Sequence, residues 1–172
     1  MTKRGILLRL LMGELGVDPK LETFRDRLIL QKSVYLLQGL GLPTKFGYGW
    51  YLRGPYSPAL TRAVFQEVVE AERHEEASHE DYLLASETRE QVSVLKRLRR
   101  QALEVGLAED KWLELLASMH FYKNAMYFPQ EVSCKRGDAK WLYGKLPVGK
   151  KESFTEEQAM KAKETLSSAG IW

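Results

Sequence analysis

The sequence predicts a mainly α fold: a single compact helical domain of about six helices with a small aromatic β-strand or hairpin. Three observations carry that prediction. The chain has 172 residues, a length that fits one domain, since domains cluster around roughly 100–150 residues. Apolar residues make up 44% of it, enough for a real core, and they recur mainly at helical spacing. Phe46-Gly47-Tyr48-Gly49-Trp50-Tyr51-Leu52 is aromatic, glycine-punctuated and too short for a helix, so it reads as a strand.

In chain order, residues 3–15 read as a helix on Ile6, Leu7, Leu10, Leu11 and Leu15, stopped by Gly16. Thr23 caps a second helix, with Asp26 reaching back, and that helix runs to about Gln38. It buries Leu28, Leu30, Val34, Leu37 and Tyr35. After the aromatic strand, Gly54-Pro55-Tyr56 turns the chain. Ser57-Pro58 is a strong helix start, a capping hydroxyl followed by proline at the first helical position. Leu60, Val64 and Val68 mark that helix's inner stripe to about Glu72. Residues 73–80 read as a polar loop, and Tyr82-Leu83-Leu84 as a short strand or a lead-in to the next helix. Ser86 or Thr88 caps a helix whose inner face is Val92, Leu95, Leu98, Ala102 and Val105. Asp110 caps another through Trp112, Leu113, Leu116, Met119 and Tyr122. Residues 123–152 read as irregular and basic. Thr155-Glu156-Glu157-Gln158 is a capping box that opens a final helix to Ser168. No repeat or linker divides the chain, so one domain spans 1–172. Within it lie a motif region at 21–70, a helical remainder at 86–122, the irregular segment and the last helix.

The formal net charge of +3 is too small to declare a nucleic-acid binder. It hides a patchwork. Residues 61–91 carry 3 basic and 9 acidic side chains, whereas 92–101 carry four cations and no acid. A single cysteine, Cys134, closes no intrachain disulfide and builds no thiolate zinc cage, which points to a reducing compartment. No apolar run approaches the roughly 20 residues of a membrane span. Thr2-Lys3-Arg4 imitates the start of a signal peptide, but Arg9 interrupts the apolar stretch that follows. The expectation is a cytoplasmic protein with no membrane association.

His74 and His79 are five apart, not the four that would share a helix face, so a solvated acidic loop is the better reading than a metal site. His120 reads as a structural histidine, and Cys134 as an ordinary thiol. No metal, cofactor or catalytic residue is expected. Two basic clusters remain. Lys96, Arg97, Arg99 and Arg100 fan outward around Leu98. Lys135, Arg136, Lys140 and Lys145 interleave with Trp141 and Tyr143. That composition suits single-stranded nucleic acid, and it suits a protein interface as well.

The most informative stretch runs from Arg27 to Leu60. Gln31, Lys32, Tyr35 and Gln38 place polar tips on an otherwise apolar helix. Tyr48, Tyr51, Arg53 and Tyr56 then crowd the strand and its turn. As an enzyme site this cluster lacks a nucleophile–base pair. As packing it predicts that Gln31 and Lys32 hydrogen-bond the carbonyls of the Gly54–Ser57 turn.

The pattern L-x-L-Q-K-x-x-Y-L-x-Q, followed by Y-L-x-G-P-Y-S-P-x-L, resembles the SocA-like antitoxin domain, also called Panacea. It is similar as well to related phage-associated and YwgA-like proteins of unknown function. The resemblance is specific over residues 21–70, where Leu30-Gln31-Lys32 and Gly54-Pro55-Tyr56-Ser57-Pro58 occur together, and thins beyond them. It implies a small, mostly helical protein of bacterial, archaeal or phage origin. It also implies a protein-binding function: several members neutralise an unrelated toxin by binding it, and one kind delivers its toxin to a protease. The partner-binding or motif residues it implies are Gln31, Lys32, Tyr35, Tyr48, Tyr51, Arg53, Gly54, Pro55, Tyr56 and Ser57. The alternative is a winged-helix-like nucleic-acid binder that uses the basic clusters; the interrupted charge predicts only weak nucleic-acid affinity.

Overall fold

Helices dominate the computed structural model, which describes residues 2–74, 79 and 81–172. Helix α1 (Lys3–Leu15) is capped by the Thr2 hydroxyl and closed by Gly16 at φ +66°. Its buried face is Leu8, Leu11, Met12 and Leu15, while Ile6, Leu7 and Leu10 are half-buried. The stripe is thus rotated from the one the spacing predicts. Helix α2 (Phe24–Gly39) is capped by Thr23, which accepts the Asp26 N–H at 3.0 Å. Its ten residues from Leu28 to Leu37 are all buried, because neighbours cover it on every side.

The aromatic segment is shorter as a strand than predicted. Strand β1 (Gly49–Tyr51) pairs antiparallel with β2 (Gly54–Tyr56), in the register Gly49↔Tyr56, Trp50↔Pro55 and Tyr51↔Gly54. The segment predicted as a turn is therefore the second arm of a hairpin. Helix α3 (Pro58–Val64) starts where Ser57 Oγ accepts the Leu60 N–H. It runs through a π-helical turn, Phe65–Val69, into α4 (Glu70–Arg73). Helix α1 packs against that turn. There Arg4 and Thr2 bind Glu67, and Arg9 pairs with Glu72.

Tyr82 and Leu83 are exposed and form neither strand nor helix. Helix α5 (Ser86–Arg100) begins with Ala85 at its cap, and α6 (Glu109–Asn124) with Ala108, neither with a side-chain cap. Ser86 and Asp110 lie inside the first turns instead, and Thr88 also lies within α5. Val92, Leu95, Leu98 and Ala102 are buried, and Val105 is half-buried. Residues 123–152 are not irregular. They hold α7 (Gln130–Ser133), α8 (Ala139–Lys145) and α9 (Val148–Ser153), joined by tight turns. Helix α10 (Glu156–Ser168) opens with the predicted capping box complete in both directions. The centre of the molecule is α2 against α6, with the hairpin on one side, α5 and α1 on another, and α10 over α6 and α8. Trp112, fully buried, ties α6 to α5 through a 2.8 Å bond to Leu98 O. No helix among the described residues is long and apolar enough to cross a membrane.

Candidate functional site

The predicted contact between α2 and the hairpin is present, and it is made through backbone. Gln31 Nε2 donates to Ser57 O at 3.0 Å, and Gln31 Oε1 accepts the Ser57 N–H at 2.9 Å. One carboxamide thus satisfies both peptide groups of a buried residue, as a paired strand would. Two turns on, Gln38 repeats the device. Its Nε2 donates to Phe46 O at 3.1 Å, and its Oε1 accepts the Phe46 N–H at 2.8 Å and the Thr44 hydroxyl at 2.7 Å. Lys45, between them, is held at φ +54°.

Lys32 is 2% exposed and donates to Pro55 O at 2.6 Å. Burial, with Lys150 nearby and Glu114 opposing, lowers its pKa to about 7. Tyr35 bonds His120 Nδ1 at 2.7 Å, and its ring meets Tyr48 edge-on. Burial lowers His120 to about 4 and raises both phenols. The Tyr35 bond gives His120 a partner within the fold, as expected of a structural histidine. Tyr56 OH lies 2.8 Å from Thr61 Oγ1. Gly54 has φ +87°, and a Cβ on it would meet Ser118 Oγ at 2.6 Å. The motif residues are therefore mostly spent on holding the hairpin to α2 and α6.

Two of them, Tyr51 and Arg53, face outward with their neighbour Leu52. Tyr51, Leu52 and Arg53 form a ridge at the hairpin tip, with Tyr51 59% and Leu52 79% exposed. On one side of the ridge is an apolar groove of about 260 Å³ between α2, the hairpin and α3, floored by Leu28, Leu60 and Val64. Phe24, 59% exposed, stands on its far rim. On the other side is a cavity of about 550 Å³ walled by Trp50, Arg53, Glu114, Pro147 and Lys150. Glu114 and Lys150 belong to the site and went unread in the sequence. The signal for Glu114 was a lone acid amid Trp112, Leu113, Leu115 and Leu116. Lys150, one of a pair of surface-like lysines, carried none.

Four cations of the basic clusters are engaged elsewhere. Lys96 binds Glu14 at 2.5 Å, and Arg99 binds Glu109 at 2.7 Å and Leu15 O at 2.9 Å. Arg136 donates to Met126 O, and Lys140 pairs with Glu156 at 3.1 Å. Arg97, Arg100 and Lys135 are exposed. His74 lies near Glu70, and residues 75–78 and 80 of the expected acidic loop lie outside the described residues. Among the described residues no group of three His, Cys, Asp or Glu side chains is placed to hold a metal ion. Comparison of the chain with family models, with curated proteins and with solved structures finds no match in any of the three.

Proposed function

We propose that this chain is a non-enzymatic protein-binding module of the SocA-like antitoxin kind, and that it binds a toxin through the groove beside the hairpin tip. The supporting observation is the apolar groove itself, rimmed by exposed Phe24, Tyr51 and Leu52. Large apolar side chains clustered around a concavity are what an interface uses as anchors. The polar motif residues behind it are buried and bonded to backbone, which makes the floor rigid and leaves little ordering to do on binding. An enzyme reading has less support, because Lys32 and Tyr35 are sequestered in hydrogen bonds of the fold. A winged-helix reading has less support too, because strands of three residues make a short wing and Lys96, Arg99 and Lys140 are paired with acids.

The test is genetic and biochemical together. Each reading frame flanking this gene is expressed alone and with the chain. The expected result is a frame that arrests growth alone and is silenced by the chain. Silencing should be lost in Leu52→Asp and Phe24→Asp, whose sites are exposed, and kept in Lys161→Gln. Silencing that survives both groove variants removes the groove from the interface. The absence of any toxic neighbour defeats the antitoxin reading.

A further inference from the structure

The cavity on the far side of the ridge has a different chemistry from the groove. Glu114 is 1% exposed and Lys150 4% exposed, and they pair at 2.5 Å. The second carboxylate oxygen of Glu114 is buried with no hydrogen-bond partner among the described residues. Two more cations gather round that same oxygen: Arg53 Nη1 at 3.6 Å and Lys111 Nζ at 4.0 Å. Both are beyond hydrogen-bond length, so neither is locked there. Lys32, on α2, lies close enough to feel both Lys150 and Glu114. One carboxylate therefore faces three cations contributed by the hairpin, α6 and α9, with Lys32 near them and only part-charged at neutral pH. A like-signed excess in a walled cavity focuses its field outward and attracts the opposite charge.

We propose that this cavity is an anion site that takes a carboxylate or phosphoryl group. Arg53 is half exposed at the mouth, and its planar fork suits two oxygens of either group. Lys150 sits over the Trp50 ring, 5.8 Å from its centroid, and brings its charge to the floor. Trp50 and Pro147 supply apolar wall against the body of the ligand. Neutralising the excess is the driving force, so a neutral isostere gains nothing from the site. The site goes beyond partner binding and does not rest on it. The anion has two possible sources, a free small molecule or an acidic side chain of a partner.

Calorimetric titration of the whole chain at low salt tests this, with phenyl phosphate and with a blocked dipeptide carrying one aspartate. Expected is saturable one-to-one binding of at least one of them, and none of benzyl alcohol or of the asparagine dipeptide. The tighter ligand identifies the source. Arg53→Gln is expected to weaken binding by about tenfold, the scale of one lost charge-assisted contact. Lys111→Gln is expected to weaken it less, and Lys161→Gln not at all. Both site positions are partly exposed, so unchanged melting curves will separate lost binding from lost fold. No saturable binding of either probe, or equal binding by Arg53→Gln and the parent chain, overturns the proposal.

Discussion

The carboxamide of Gln31 takes the Ser57 N–H and gives its own N–H to Ser57 O, so its removal orphans the buried Ser57 N–H, while Ser57 O keeps the Thr61 N–H at 3.2 Å. Gln31→Ala is expected to lower stability by about 1–3 kcal/mol in urea melts, the penalty for a buried polar group left unpaired. A variant as stable as the parent would show that water replaces the amide. Lys32 behaves differently because it titrates. Its amine has a pKa of about 7 in the folded chain against an ordinary 10.5, so between those values the unfolded chain binds more protons. Stability therefore rises with pH across that window and is flat below it. Lys150, lowered by burial, acts in the same direction. The denaturation midpoint should be higher at about pH 9 than at about pH 7, and Lys32→Met should flatten most of that rise. An unchanged slope in Lys32→Met would mean that the lysine titrates normally. The sequence made the Gln31 and Lys32 contacts readable because polar tips on a buried helix need partners nearby. It hid Glu114, Lys150 and Ser118, whose roles depend on elements that meet only after folding.

At the scale of elements, what was legible was what is local. Ser57-Pro58 and the Thr155–Gln158 box state their helix starts within four residues, and both stand where they were read. The starts of α5 and α6 were misplaced because Ala85 and Ala108 carry no capping oxygen, and only chain geometry sets them. Helices α7, α8 and α9 span four to seven residues, too few for a hydrophobic period to repeat. The hairpin was half legible, since its second strand holds a proline and a glycine that read as turn. Its attachment to α6 rests on Gly54, where both φ and space forbid a side chain. Gly54→Ala is expected to cost at least about 2 kcal/mol, combining left-handed strain with overpacking against Ser118. Ser118→Gly should recover part of that loss by opening the space. No recovery in the double variant would place the whole cost in the backbone.

For the whole molecule, the charge patchwork was legible and its partners were not. Lys96 and Arg99 pair with Glu14 and Glu109, which come from helices on either side in the sequence and not from the acidic stretch at 61–91. With these cations engaged, affinity for duplex DNA at physiological salt is expected to be no tighter than about micromolar, where specific binders reach about 10⁻⁸ M. Anisotropy titrations check it. Nanomolar binding that falls steeply with salt and vanishes on changing Arg97, Arg99 and Arg100 to Ala would favour the nucleic-acid alternative. The peptide-directed bonds of Gln31, Lys32 and Gln38 carry one more consequence, an evolutionary one. Each ends on a main-chain group of Ser57, Pro55 or Phe46, and every residue type offers a main-chain carbonyl. Residues that dock on side chains drift in compensating pairs; Gln31 and Gln38 each keep one such partner, the hydroxyls of Thr61 and Thr44, but Lys32 bonds to main chain alone. Covariation across descendants of this sequence would therefore be blind to the Lys32 contact that holds the hairpin in place, which would register only as one position that does not change.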